Sequence, residues 1–464
     1  MPNILQIIST LFLFFLSFSF NCFAVEELSN KEKYQNYQRF ENDLHSIVDS
    51  FRGLSISGQT TIIYQSSSLK LKSGSLKDTS GNNLSESELQ KYNHKDGSGS
   101  FSADIILEKR FDKNSLLHFD VQFANGQGVD VNLQGGSMVN NDIMENPQAH
   151  NEVYLAKGLF QKKIYLPEDY NITFNIGKFG VNDFFDVGDE NSDQSTQFLN
   201  QAVANNGAFD YVQDLEGHGY TYGFRSAISN DLIGFDFGFF SSDSYLDNIN
   251  KRHSLIAAIT LSPTLLKNLQ STYQLYAFSN RGEYGSFDGN GNFMTKNEDI
   301  DGDGIADNIN TADNKDSKNK NGFGISLTQP VSDRINIFAK FGMQDNDRDV
   351  RHSNDQDQSF MLGGNFDGKI WLRTQDQVGL AYAQAKLTGN HRKAHEKGYR
   401  SFFDRENGIG QGNYRDEYVF ESYYRLSTSK SSSISLDYQR IFNFNYSKLI
   451  GDVDFFALRF NASF

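Results

Sequence analysis

Cysteine and tryptophan occur once each in this chain of 464 residues, and proline five times. The one cysteine, Cys22, falls inside the N-terminal apolar segment, so a disulfide scaffold and thiol chemistry are both excluded for the mature chain. Beyond that segment no run approaches the roughly 18 apolar residues of a membrane-spanning helix. Positive charge is in deficit. Lys and Arg number 43 against 58 Asp and Glu, a formal net charge of −15, which argues against nucleic acid as a partner and gives no support to an anion-attracting pore. GxSxG, HExxH and Walker patterns are missing, so the sequence offers no enzymatic motif. No internal repeat points to a propeller.

Aromatic residues are abundant instead: 41 Phe and 22 Tyr. Residues 1–24 read as a secretory signal, with an apolar run from Ile4 to Phe20 and cleavage after Ala24, although Met1-Pro2-Asn3 carries no basic residue. In segment 25–53, Tyr34, Tyr37, Phe40, Leu44, Ile47, Val48 and Phe51 recur at helical spacing and predict a short amphipathic helix with a packing or interfacial role.

From residue 54 the period changes to two. In the last strand Phe456, Leu458, Phe460 and Ala462 alternate with Ala457, Arg459, Asn461 and Ser463. In 115–124, Leu117, Phe119, Val121 and Phe123 alternate with His118, Asp120 and Gln122. In 335–343, Ile335, Ile337, Ala339, Phe341 and Met343 flank Asn336 and Lys340. One face suits lipid and the other water. Sixteen such stretches are predicted, from 54–65 to 453–464, each long enough to cross a membrane at a tilt. Tight turns such as Asp112-Lys113-Asn114 and Ser229-Asn230-Asp231 alternate with long segments at 66–99, 125–151, 180–217, 280–321 and 388–416. A β-sandwich has no reason to keep that rhythm. Outer-membrane barrels do, with short periplasmic turns and long extracellular loops. The expected fold is all-β: a transmembrane antiparallel β-barrel over 54–464, with Trp371 in a short turn at interfacial depth.

Three blocks carry a resemblance. In IGKFGVNDFFDVGDENSDQSTQFLNQ the positions are Gly177, Lys178, Asn182, Asp183, Phe185, Asp186, Thr196, Gln197, Phe198, Leu199 and Asn200. In GGNFDGKIWLRTQDQVGLAY they are Gly364, Gly368, Arg373, Asp376 and Gly379. Near the end they are Glu417, Glu421, Tyr424, Arg425, Asp437 and Gln439. In this order the blocks resemble the carbohydrate-selective porin family (OprB type) of Gram-negative outer membranes. The match covers roughly a quarter of the mature chain. It departs where Phe444 follows Asn443 in place of proline, and where 280–321 reads as an insertion. The resemblance implies a passive channel for sugars in the cell outer membrane, without a required cofactor. It also implies that 180–217 folds into the lumen as a constriction loop, and that Phe464 is the terminal aromatic read by the barrel-assembly machinery. Outer-membrane lipid, lipopolysaccharide and a homotrimeric arrangement are the other partners it brings to mind. A general or cation-preferring porin is the alternative; an outer-membrane hydrolase or an adhesin barrel is a further one.

A sugar pore needs groups that both donate and accept hydrogen bonds. The predicted inward positions supply them: His118, Asp120, Gln122, Arg225, Lys340, Glu421, Arg425, Asp437, Gln439 and Arg459, joined by Asp183 and Asp186 from the acidic first half of the loop, which also holds Asp189, Glu190 and Asp193. Glu421 and Arg425, on one strand face, are the foremost expected lumen contacts. NEDIDGDGIADN is a calcium-loop pattern, with Asp299, Asp301 and Asp303 at positions 1, 3 and 5, Gly304 at 6, the Ile305 carbonyl at 7 and Asp307 at 9. Asn310 replaces the bidentate Glu at 12, so weak Ca²⁺ binding is expected. His391 and His395 stand four apart, but in a segment that reads as a loop.

Overall fold

The computed structural model describes residues 53–75, 83–89, 97–126, 128–129, 136–142, 153–188, 190–213, 219–242, 249–266, 269–282, 284, 286–287, 289–290, 318–348, 356–396 and 414–464. The signal segment, the N-terminal helix and the Asp299–Asp307 pattern lie outside the described residues.

Sixteen strands close into one antiparallel barrel in sequence order. They are β1 (Leu54–Ser67), β2 (Ser98–Asp112), β3 (Ser115–Asn125), β4 (Val153–Tyr165), β5 (Asn171–Gly180), β6 (Tyr220–Ser229), β7 (Ile233–Ser241) and β8 (His253–Leu261). Then follow β9 (Thr272–Gly282), β10 (Lys318–Ser332), β11 (Ile335–Gln344), β12 (Gln358–Asp367), β13 (Gln377–Lys386), β14 (Glu417–Ser429), β15 (Ser432–Phe442) and β16 (Val453–Ser463). The seam is β1 on β16, in register from Gln59 opposite Ser463 to Ser67 opposite Phe455. Closure matters because lipid offers no hydrogen bonds to an open edge. The predicted sixteen stretches match these strands to within a few residues.

The face assignment follows from the pleat. Phe456, Leu458 and Phe460 are about half exposed, whereas Ala457, Arg459 and Asn461 between them are buried. Ile176, Leu275, Leu362 and Leu436 continue the outward apolar belt. Trp371 sits in the short turn Gly368–Trp371, packed near Tyr424.

Alternation fails once in a way that bears on the lumen. Between β3 and β4 the register slips, Asp120 pairing with Lys157 and Val121 with Leu155. In β4 the exposed apolar residues are odd-numbered before this β-bulge (Val153, Leu155) and even-numbered after it (Phe160, Ile164). The bulge therefore turns Lys157 inward. Next to it Gly177 has φ +141°, and a Cβ there would meet the Gly158 carbonyl oxygen at 2.1 Å, so glycine alone fits that crossing.

The region between Gly389 and Glu396 is an α-helix, contrary to the expected loop. Its histidines pack and do not converge. His391 Nδ1 meets Asp357 Oδ1 at 2.9 Å and its ring stacks on Phe287, while the His395 ring lies edge-on to Tyr414 and Tyr446.

Candidate functional site

The connection between β5 and β6 folds into the barrel. It leaves β5 through a 3₁₀ turn, Val181–Asp183, in which Asp183 Oδ2 accepts a hydrogen bond from the Gly180 N–H at 3.0 Å. Asp186 then takes a left-handed conformation, φ 64°, uncommon for a residue with a side chain. Its surroundings hold it there. The Gln274 Oε1 accepts from the Asp186 N–H (2.8 Å), Ser326 Oγ donates to its carboxylate (2.5 Å), the Asn206 N–H donates to it (2.7 Å), and Lys340 Nζ donates to both its carboxylate and its carbonyl at 3.0 Å. The Lys340–Asp186 pair is 3% and 1% exposed. A fully satisfied buried pair of this kind fixes a conformation, which here is the inward path of the loop.

Across the barrel the loop is held a second time. Glu421 accepts from the backbone N–H groups of Leu199 (2.6 Å) and Asn200 (3.1 Å). Asn200 donates to Gln439 at 2.9 Å and caps the short helix Gln201–Ala204 by accepting from the Ala202 N–H. Arg459 donates to the carbonyls of Gln194 and Gln197 and to Asp437. Phe198 wedges between Phe338 and Tyr423, ring centroids 5.6 and 4.9 Å away. On the return path Asn206 reaches the Phe341 carbonyl and Ser359, and the Asp210 carbonyl accepts from Asn280.

A second loop backs the first. Asn141 N–H donates to the Leu199 carbonyl at 2.8 Å and Gln201 N–H to the Met138 carbonyl at 2.9 Å. Asp142 accepts from Ser102 on β2 (2.7 Å) and from Ser195 on the constriction loop (3.1 Å). Burial, reinforced by the charge of Asp104, pushes the Asp142 carboxyl up to about 6 against the opposing hydrogen bonds of Ser102 and Ser195.

These contacts sort the predicted lumen residues into two groups. Asp186 is on the loop itself and 4% exposed; Lys340, Glu421, Asp437, Gln439 and Arg459 face inward from the strands, yet each is at most 4% exposed and is engaged by the loop, directly or through Arg459. They lie behind it. The expectation that Glu421 meets the lumen is corrected by the two backbone N–H groups its carboxylate already accepts. Arg425, four residues further along β14 toward the short-turn end, is half-buried.

The second group lies on β2 to β6 and in the loop's entry turn. His118 Nδ1 meets Glu108 at 3.2 Å, both side chains partly exposed at 18% and 30%. Gln122 accepts from the Tyr154 hydroxyl (2.7 Å) and donates to the Tyr220 hydroxyl (2.9 Å). Asp183 pairs with Lys157 at 2.7 Å, 26% and 22% exposed. Asp104 accepts from Gln59 at 3.0 Å. Asp120 is 5% exposed. Arg225 is paired with Asp236 and Asn175 under the ring of Phe184. The sequence reading missed Asp104, Glu108, Tyr154, Lys157 and Tyr220. The switch of apolar parity within VYLAKGLFQKKIY was the available signal for Lys157.

Comparison with known proteins identifies the family and the fold. The sequence matches the description "Carbohydrate-selective porin, OprB family" over residues 94–464. No match is found among curated proteins. The fold is similar to the high-pH structure of Pseudomonas putida OprB, with TM-score 0.63 and 15% identity over 92% of this chain and 97% of that one. The outer membrane channel DcaP of Acinetobacter baumannii aligns at 10% identity, TM-score 0.47, over 89% of this chain and 97% of that one. Matched over residues 94–464, closed into sixteen strands and narrowed from within, the chain belongs to the carbohydrate-selective porin family and is a sugar-selective channel of the Gram-negative outer membrane.

Proposed function

We infer that sugars cross this barrel along the β2–β6 wall, between it and the partly exposed 192–196 edge of the constriction loop. The observation that carries this reading is the asymmetry of the loop's anchoring. Its side-chain staples concentrate on β9 to β12 and β14 to β16, while toward the other wall it is tied at Asp183 to Lys157 on β4 and, through Asp142, at Ser195 to Ser102 on β2. On the stapled strands the inward side chains are covered, as in the alternation of buried and exposed residues along β16. The inner faces of β2 and β4 keep partly open side chains. On the loop side, Ser192 and Asp193 are exposed and Gln194 and Thr196 half-buried.

That passage carries what sugar hydroxyls need. Carboxylates accept, Lys157 donates, and Gln122, Tyr154 and Tyr220 do both. The Tyr rings offer faces to the C–H side of a pyranose. Several weak contacts in series let a solute enter and leave, which a passive channel requires. The outward apolar belt is seated in outer-membrane lipid, and the strand ending at Phe464 is the one that the assembly machinery engages. The NEDIDGDGIADN segment remains a proposed weak Ca²⁺ loop, to be tested by calorimetric titration.

Single-cysteine variants test the passage, because the mature chain has no other thiol. Glu108→Cys is expected to react with a water-soluble thiol reagent, to lose single-channel current on modification, and to be protected by glucose. Ser435→Cys, at a position 1% exposed on the covered wall, is expected to stay unmodified. The reverse pattern places the passage on the other side of the loop and sinks the reading.

A further inference from the structure

We propose that the β2–β6 wall holds a subsite for a sugar carrying a protonated amine, centred on Asp120, so that the channel favours cationic amino sugars over neutral hexoses. This rests on the reading that solutes pass along that wall.

The starting point is Asp120 itself. It projects inward from the middle of β3, is 5% exposed, and its Oδ1 has no hydrogen-bond partner. A buried carboxylate without a donor is costly, so such a group in a channel wall is explained by a donor that comes and goes. The neighbouring side chains are committed elsewhere. Gln122 is held between the hydroxyls of Tyr154 and Tyr220. Lys157 Nζ gives its short contact to Asp183 at 2.7 Å and lies 5.7 Å from the centre of the Tyr220 ring. The Asp104 carboxylate accepts from Gln59 at 3.0 Å through Oδ2.

Charge counting then selects the ligand. Asp104, Asp120 and Asp183 all act electrostatically on Lys157, three carboxylates against one ammonium, and Asp193 adds to the field at Asp104. The local excess is negative, in a wall where a low dielectric strengthens every charge. A neutral sugar hydroxyl satisfies Asp120 but leaves that excess. An ammonium brings three donors and a compensating charge. A metal ion is the other way to compensate it. Among the described residues, however, no three His, Cys, Asp or Glu side chains are grouped to hold one. Gln122, two residues along β3 from Asp120, holds the hydroxyls of Tyr154 and Tyr220, so their polar tips border the same stretch of wall.

The experiment is block of single-channel current by glucosamine, glucose and glucuronate, in 0.1 M salt at a pH where the amine is protonated. Wild type is expected to give a half-blocking concentration for glucosamine about tenfold below that for glucose, and weakest block by glucuronate. Asp120→Asn, which keeps size and shape, is expected to bring the glucosamine-to-glucose ratio to about one. Lys157→Met, which removes the competing ammonium, is expected to widen it, and its opposite direction separates charge recognition from general damage to the wall. Equal block by glucose and glucosamine in wild type overturns the amino-sugar subsite while leaving the sugar passage standing. A preference that survives Asp120→Asn overturns the assignment to Asp120. Block by none of the three overturns both the subsite and the passage.

Discussion

At the residue scale, the inward polar side chains of this barrel do two jobs, and burial separates them. Lys340, Glu421 and Arg459 resemble channel residues in type and face, but each is at most 4% exposed and spends its donors or acceptors on the constriction loop. Lys157, Asp183, Glu108 and His118 keep a partly open surface. Asp142, on the second loop, also holds the constriction loop, through Ser195, and carries a pH signature. Its carboxyl, ordinarily at 3.8, is raised by burial to about 6. The stability linked to it is therefore complete below 3.8 and is lost as pH rises through about 6. Denaturant midpoints measured across that window are expected to fall with rising pH in wild type, and Asp142→Asn is expected to flatten the slope. An unchanged slope in the variant assigns the pH dependence to other groups. Asp376, in the turn before β13, has the opposite sign. Although burial acts to raise it, hydrogen bonds from Arg373, Tyr424 and the Ser427 N–H hold it below 3.8, so its contribution is lost only in stronger acid.

At the element scale, the constriction loop explains the sequence block that carried the family resemblance. Asn182 and Asp183 sit in its entry turn, Asp186 is its first staple, and Phe198, Leu199 and Asn200 form the second. Lys340→Met removes one partner of the buried pair and strands the Asp186 carboxylate, a change of about 3–5 kcal/mol. Its expected result is a lower unfolding midpoint and noisier open-channel current as the loop loosens. The double variant Asp186→Asn/Lys340→Met is expected to recover part of the loss, since no unpaired charge then remains buried. Equal losses in the single and double variants would show that the pair does not act as a unit. The element that sequence reading missed is the second inward loop. Its contacts to the first run through backbone groups of Met138, Asn141, Leu199 and Gln201, which no side-chain pattern announces.

At the scale of the whole molecule, closure depends on the last strand meeting the first. Phe464 contributes by backbone as well as by ring, exchanging N–H and C=O hydrogen bonds with Gly58 at 3.0 and 3.2 Å. Deleting Phe464 is therefore expected to reduce the yield of membrane-inserted barrel. Arg459→Ala is expected to insert normally and then to show a loosened loop through altered conductance. Matching insertion defects in the two variants would contradict the division of β16 into a lipid face and a loop-binding face.

Strand number, strand limits and the lipid-facing side were legible in the sequence, because a pleated strand between lipid and water records its environment at every second residue. Phe456, Leu458 and Phe460 show this without reference to any neighbour. The helix at Gly389–Glu396 was not legible, since its eight residues carry little apolar periodicity and it is held by packing of His391 and His395 on Phe287, Tyr414 and Tyr446. Sequence alone thus determined a sixteen-stranded barrel and, where strands run without a bulge as β16 does, which residues point inward. Only the tertiary structure decided which inward residues reach water. That outcome depends on where one loop returns to meet strands more than two hundred residues away, as Leu199 meets Glu421, and local periodicity carries no record of such a contact.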